Sequence, residues 1–142
     1  MATQTNYPTT MAAGYAGQIV NSELNNIISA TIVGAVVAFG LAATRGATDG
    51  TTKIGGTAFF GIAVRDQAVE GTSPNAYPVG ATGGFMTKGV VFVTAKEAVT
   101  AGDAAGFNAA GELVKAATGT AIPNAVFDTS GAAGALVKLR LG

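Results

Sequence analysis

Apolar positions along this chain recur at a spacing of two, in short runs broken by glycine, proline, Asn and Asp, and no convincing amphipathic helix is visible. Residues 135–141 are the plainest case. Val137, Leu139 and Leu141 fall on one side and Lys138 and Arg140 on the other, the alternation of a half-buried strand. Residues 85–96 (FMTKGVVFVTAK) read as the strongest strand. Phe85, Val91 and Val93 fall on one face, Val90 and Phe92 on the other. With both faces apolar, this strand is expected between two layers, and Gly89 marks a bulge in it. In residues 57–65, Phe60, Ile62 and Val64 share a face. Residues 104–107 and 112–116 flank a hairpin-like gap at 108–111, and 122–128 follows with Pro123 marking an edge. Residues 42–56 read as a loop or hairpin turning at Asp49-Gly50, and 68–84, with Pro74 and Pro78, as a long loop.

Between Glu23 and Arg45 there is no charge. A membrane helix needs about 20 predominantly apolar residues, so this run is of borderline length for one. Its β-branched residues Ile27, Ile28, Thr31, Ile32, Val33, Val36 and Val37 favour strands instead, and Gly34 and Gly40 cut it into strand-sized pieces at 26–33 and 35–41. Residues 1–22 also carry no charge and lack the basic and continuous apolar regions of a signal peptide. Tyr7-Pro8 biases the backbone toward extended geometry. The reading is an extended arm over residues 1–17, docked through Tyr7 and Tyr15, followed by a domain over 18–142. Seven to nine short strands with regular turns make that domain all-β and point to a sandwich, jelly roll or small barrel; the reading taken is a jelly-roll-like β-sandwich.

Composition narrows the function. The 142 residues hold 8 Lys+Arg against 8 Asp+Glu, and no Cys, His or Trp. Thiol and imidazole chemistry, disulfides and thiolate metal sites are therefore excluded. Zero net charge without a basic block argues against nucleic acid and against an anionic membrane surface. Charged residues are 11% of the chain, where a soluble monomer's surface usually wants roughly 25–35%. A chain this poor in charge reads as an assembly protein, with much of its surface neutral or covered by partners.

The carboxylates are scattered. Asp66 and Glu70 are the one close pair, and they leave a strand for a loop; Asp49, Asp103 and Asp128 belong to no calcium loop. Ser22, Ser29, Ser73 and Ser130 lie in no nucleophile motif, and no phosphate-binding loop occurs. The V-x-x-G-D cadence at 99–103 is shared with biotin- or lipoyl-carrying domains, but Lys115 lies in a strand and not at a hairpin tip. No catalytic, cofactor-binding or metal-binding residue is nominated, and no cofactor.

One ordered set of segments carries a resemblance. Gly61-Ile-Ala-Val-Arg-Asp66, Tyr77-Pro-Val-Gly80, Lys88-Gly-Val-Val-Phe-Val93, Val99-Thr-Ala-Gly-Asp103 and Gly111-Glu-Leu113 follow one another as in the capsid cement, or decoration, proteins of tailed bacteriophages. Asn21-Ser22, Ile32, Val37-Ala-Phe-Gly40 and the uncharged arm fit as well, so the chain resembles that family over most of residues 14–141. The apolar stretch 32–41 departs from it, since family chains usually place a charge there. The resemblance implies a small all-β protein on the capsid exterior, bridging neighbouring major capsid subunits against internal pressure. The implied partners are the major capsid protein and a second copy, a homodimer in preference to a trimer. Arg45, Arg65 and Arg140 are candidate contact residues by type, and Tyr7, Pro8 and Tyr15 by their place in the arm. The alternative is an adhesion or carbohydrate-binding β-sandwich module of a phage tail or cell surface. It is weakened by the lack of Trp and the dispersal of the three tyrosines.

Overall fold

The computed structural model describes residues 14–21, 24–66 and 75–142. Eleven strands occupy them: β1 (Asn26–Ile32), β2 (Val37–Ala38), β3 (Ala42–Arg45), β4 (Thr51–Lys53), β5 (Phe59–Ala63), β6 (Ala76–Tyr77), β7 (Thr82–Thr94), β8 (Ala104–Phe107), β9 (Leu113–Lys115), β10 (Thr120–Phe127) and β11 (Leu136–Leu141). The count exceeds the expected seven to nine because several are two or three residues long.

The 13-residue β7 organises the rest. Its first half pairs antiparallel with β1 along one edge and with β5 along the other, Ile28 opposite Phe85 and Ile62 opposite Met86. Its second half pairs with β11, from Leu136 opposite Thr94 to Leu141 opposite Gly89. Along the remaining edge of that half runs the 17–20 segment, through an Ile19–Val91 bridge and bonds from Gly17 N to Phe92 O (2.8 Å) and Phe92 N to Gln18 O (2.9 Å). β1 also pairs in parallel with β4, β4 with β3, and β3 with β5, so β1–β4–β3–β5–β7 closes into a ring. The other sheet, β7–β11–β10–β8–β9, rolls back until Ala95, just past β7, meets Leu113 of β9 in a parallel bridge. The all-β, single-domain expectation therefore takes the form of two rolled sheets sharing one strand.

Gly89 is the joint. Its φ is +125°, and a Cβ there would lie 2.7 Å from the Asn25 Cβ, so glycine is required. The β1–β7 register slips beside it, from Asn26 opposite Lys88 to Ile27 opposite Met86. The bulge swaps side-chain parity. Met86 shares a core with Val91 and Val93, whereas Phe85 joins a second core with Phe39, Phe60 and Tyr77. The expected single face for Phe85, Val91 and Val93 is thus corrected. A second slip, between Ala43 and Thr44 on β3, separates Phe60 from Ile62 and Val64 in the same way. As expected, Val90, Val91, Phe92 and Val93 are all buried.

One strand and one loop expectation also change. The strand expected at 35–41 shrinks to β2, because Gly34 and Gly40 adopt left-handed φ of +85° and +86° on either side. The loop expected at 68–84 gives up Ala76 and Tyr77 to β6 and Thr82, Gly83 and Gly84 to β7; its residues 68–74 lie outside those described. These glycines serve packing. The Tyr77 ring lies where a Gly83 Cβ would point, at 2.9 Å. The Tyr77 hydroxyl donates to Val64 O (2.6 Å) and accepts from Gly84 N (3.2 Å), bridging the end of β5 to the start of β7. Burial pushes the phenol's pKa up, partly offset by the Gly84 bond.

Two carboxylates hold the second sheet's closing edge. Glu97 accepts from Lys115 N (2.7 Å) and from the Thr118 hydroxyl. Glu112 accepts from Asn108 Nδ2 (3.1 Å) and pairs with Lys96 Nζ (3.1 Å). The Thr118 hydroxyl, then the Lys115 amide, lower the Glu97 pKa; Asn108, then Lys96, lower that of Glu112.

Three consequences are measurable. Gly89→Ala and Tyr77→Phe should each lower unfolding free energy by about 1–3 kcal/mol in denaturant titrations, through backbone strain in one case and unpaired buried groups in the other. Unchanged midpoints would contradict the roles given to these residues. With depressed carboxylate pKa values, the stabilisation is present above the unfolded value of 4.5 and is lost as pH falls through the lower folded values. Without His, Tm should stay nearly flat between about pH 5 and 8 and drop in acid. Glu97→Gln should shallow that drop; an identical acid limb would show that Glu97 does not contribute.

Candidate binding surface

The segment leading into the domain is fastened residue by residue. Gly14 lies against the Phe92 ring, where a Cβ would come within 2.6 Å. Gly17, at φ +82°, fits between Phe39 and the backbone of Ala63 and Arg65, and its carbonyl accepts from Arg65 N (2.7 Å). The Arg65 side chain then reaches over the segment. Its Nε donates to Ala16 O (3.1 Å) and its Nη1 to Asn75 Oδ1 (2.7 Å). Its guanidinium sits 5.3 Å from the Tyr15 ring centre and 5.2 Å from that of Phe39. Tyr15 covers the cation from outside and remains 59% exposed.

The other nominated residues lie apart. Arg45, exposed at the end of β3, places its guanidinium 5.4 Å above the Phe60 ring. Arg140 on β11 grips Asp128 with two prongs, Nε to Oδ1 at 3.3 Å and Nη2 to Oδ2 at 2.9 Å, tying β11 to the end of β10. Tyr7 and Pro8 lie outside the described residues. The structure thus brings Tyr15 and Arg65 together and leaves Arg45 and Arg140 on separate strands.

An apolar cleft of about 410 Å³ opens beside the docked segment, between Ala16, Phe39, Leu41 and Ala95. The Lys96–Glu112 pair forms its polar rim. Among the described residues no three acidic, His or Cys side chains converge. Asp103 caps Thr100 N (2.8 Å) and faces Lys115 at 3.8 Å; Glu70 lies outside the described residues. Most charged groups among the described residues are thus engaged in the fold, and what the surface offers is contact area.

Some of that area was not read from the sequence. Leu24, Ile27, Val36 and Val79 are large, apolar and exposed, Leu24 at 75%. Val36 and Val79 flank the β2–β6 ribbon, beside Gly34 and Gly80, and those turn glycines are the signal that could have exposed them. Leu24 and Ile27 sit inside a run that reads as core throughout, so pattern alone could not single them out.

The arrangement of strands and sequence can be set beside known proteins. The sequence matches the family model described as "Structural cement protein (E217 gp24/Pam3 gp6)", a phage cement family, over residues 3–142. Among curated protein sequences nothing matches. A chain from the capsid of Myoviridae phage XM1 is similar in structure, with a TM-score of 0.74 and 17% identity, covering 100% of this chain and 98% of that one. The head fiber gp8.5 N base of bacteriophage phi29 is a looser likeness, with a TM-score of 0.49 and 13% identity over 84% of this chain and 95% of that one. The first likeness shows a shared fold from end to end, and the family match spans nearly every residue. The chain belongs to the phage structural cement protein family, and its role is structural and capsid-associated.

Proposed function

We propose that this protein binds the outside of a phage capsid and bridges neighbouring major capsid subunits, stabilising the shell without any bond chemistry. Family membership over residues 3–142 is the observation that carries the reading. The physics of the surface agrees with it. A chain with 11% charged residues has little to steer or repel a partner at long range, and gains affinity through contact area. Bridging multiplies that gain, because the first contact raises the effective concentration for the second, to the millimolar range for short tethers. Several modest contacts, each below the roughly 1,000 Å² expected of a stand-alone interface, then hold together.

Residues 1–17 act as the arm in this proposal. Arg65 anchors its root through Ala16, Gly17 and Tyr15, so the uncharged residues before Gly14 start from a fixed point. Tyr15 and Arg45 contribute exposed contact surface, and Tyr7 and Pro8 make the outer contacts. Arg65 and Arg140 act mainly by holding the contact surfaces in shape. The protein works as a homodimer, with a trimer the other stoichiometry. A sugar-binding platform is less well supported, since Tyr77, one of three tyrosines, is buried in the core.

Co-sedimentation with expanded, undecorated shells of the cognate phage tests this. The full chain should bind in a fixed ratio and raise the temperature or pressure at which the shell ruptures. Deleting residues 1–13 should leave Tm within a few degrees and weaken shell binding at least about tenfold, the scale expected when one of two linked contacts is lost. A full chain that ignores the shell would overturn the reading; an arm deletion with full affinity would remove the arm from it.

A further inference from the structure

β1 leaves one edge of the closed ring open. Backbone groups along a strand alternate in direction, and the bonds made here fix which way each points. Ile32 N donates to Ala81 O and Asn26 O accepts from the Thr87 hydroxyl, so even-numbered residues face β7. Thr31 N donates to Gly50 O and Val33 N to Thr52 O, so odd-numbered residues face β4. The parallel β1–β4 pairing, however, spans only Thr31–Thr51 and Ile32–Thr52. Below Thr31, the amide and carbonyl of Ile27 and Ser29 point past the start of β4, where no strand among the described residues pairs with them. Ile27 and Ser29 are exposed, and Leu24 beside them is among the most exposed apolar residues.

Open edges are usually blunted by charge, proline or a bulge. Elsewhere in this fold they are. β9 carries Lys115, and the outer run of β10 is interrupted by Pro123 and by Asn124 at φ +57°, where its register with β8 slips. β1 has neither charge nor proline from Leu24 to Thr44, and the slip beside Asn26 puts its extra residue, Thr87, on β7, so β1 itself runs regularly through Ile27 and Ser29.

We infer that the Asn26–Ala30 edge of β1 pairs antiparallel with the same edge of a second copy, about a two-fold axis at Ile28. This register uses both open residues reciprocally: Ile27 N–H to Ser29 C=O and Ser29 N–H to Ile27 C=O, once from each copy. An axis at Ser29 would instead demand the Thr31 amide, already given to Gly50. The pairing is isologous and closes at two copies. It sets neutral residues against neutral residues, with Ile27 opposite Ser29 and within diagonal reach of the other Ile27. Ile28 points inward to the second core and supports the strand from behind. Two such short strands bury well under the roughly 1,000 Å² of a stable interface, so the dimer is weak and reversible when free in solution. The inference deepens the proposed self-association and gives it a surface.

Sedimentation velocity over a concentration series up to about 1 mM, near the weak end of measurable affinities, tests it on the full chain. Wild type should pass reversibly from monomer to dimer, and the Ile27 and Ser29 amides should gain hydrogen-exchange protection as concentration rises. Ser29→Pro removes one outward amide that the fold does not use, and Ile27→Lys adds an edge charge. Each should weaken dimerisation at least about tenfold, with Tm at dilute concentration nearly unchanged. A wild type that stays monomeric throughout, or a dimer that survives both substitutions, would overturn the inference. Shell binding by the same variants is read separately. A monomeric wild type whose Ser29→Pro variant loses the shell would mean that the edge pairs with a capsid chain, which also overturns it. Dimerisation that responds as expected in a protein that never binds shells would support this edge and sink the capsid reading.

Discussion

Both rolled sheets hang on one strand. β7 gives its first half to the ring with β1 and β5, and its second half to β11 and the 17–20 segment. A regular strand could not serve both, because its side chains would keep one parity and its edges one direction. Gly89, at a φ that other residues rarely adopt, lets the strand bulge, and the two cores meet across it. Tyr77 then locks the first half to β5 through its hydroxyl, and the Glu97 and Glu112 bonds secure the far edge of the second half.

That arrangement bears on how the protein works as an assembly part. The entering segment lies directly on the shared strand, held there by the Gly17–Phe92 bond and by the Arg65 clasp. The low charge makes sense in the same terms. Charged side chains in the described residues are largely engaged in ion pairs, carboxylate bonds or stacking on aromatic rings, and the free surface is mainly neutral.

Much of this was legible in the sequence, and the failures have a common cause. β1, β8, β9 and β11 were placed closely, because alternation and turn glycines report local geometry. The bulge at Gly89 was visible too. Its consequence was not: a one-residue slip reverses every face beyond it, so Phe85 and Phe60 were grouped with residues of the other core. Gly83 and Gly84 looked like loop because the reason for them, the Tyr77 ring and hydroxyl, lies outside their own strand. For the surface, residue type pointed to Arg65 and Tyr15 without showing that they clasp each other. The exposed Leu24 and Ile27 were hidden in an apolar run that otherwise fills the core. Long-range packing decides both cases, and a local pattern does not carry it.

The central claim is bridging, and an image of the bound state tests it most directly. Expanded shells saturated with this protein and imaged by electron cryomicroscopy should show its density on the outer face, each copy touching at least two major capsid subunits. Density on the inner face, at the tail, or seated within a single subunit would contradict the account.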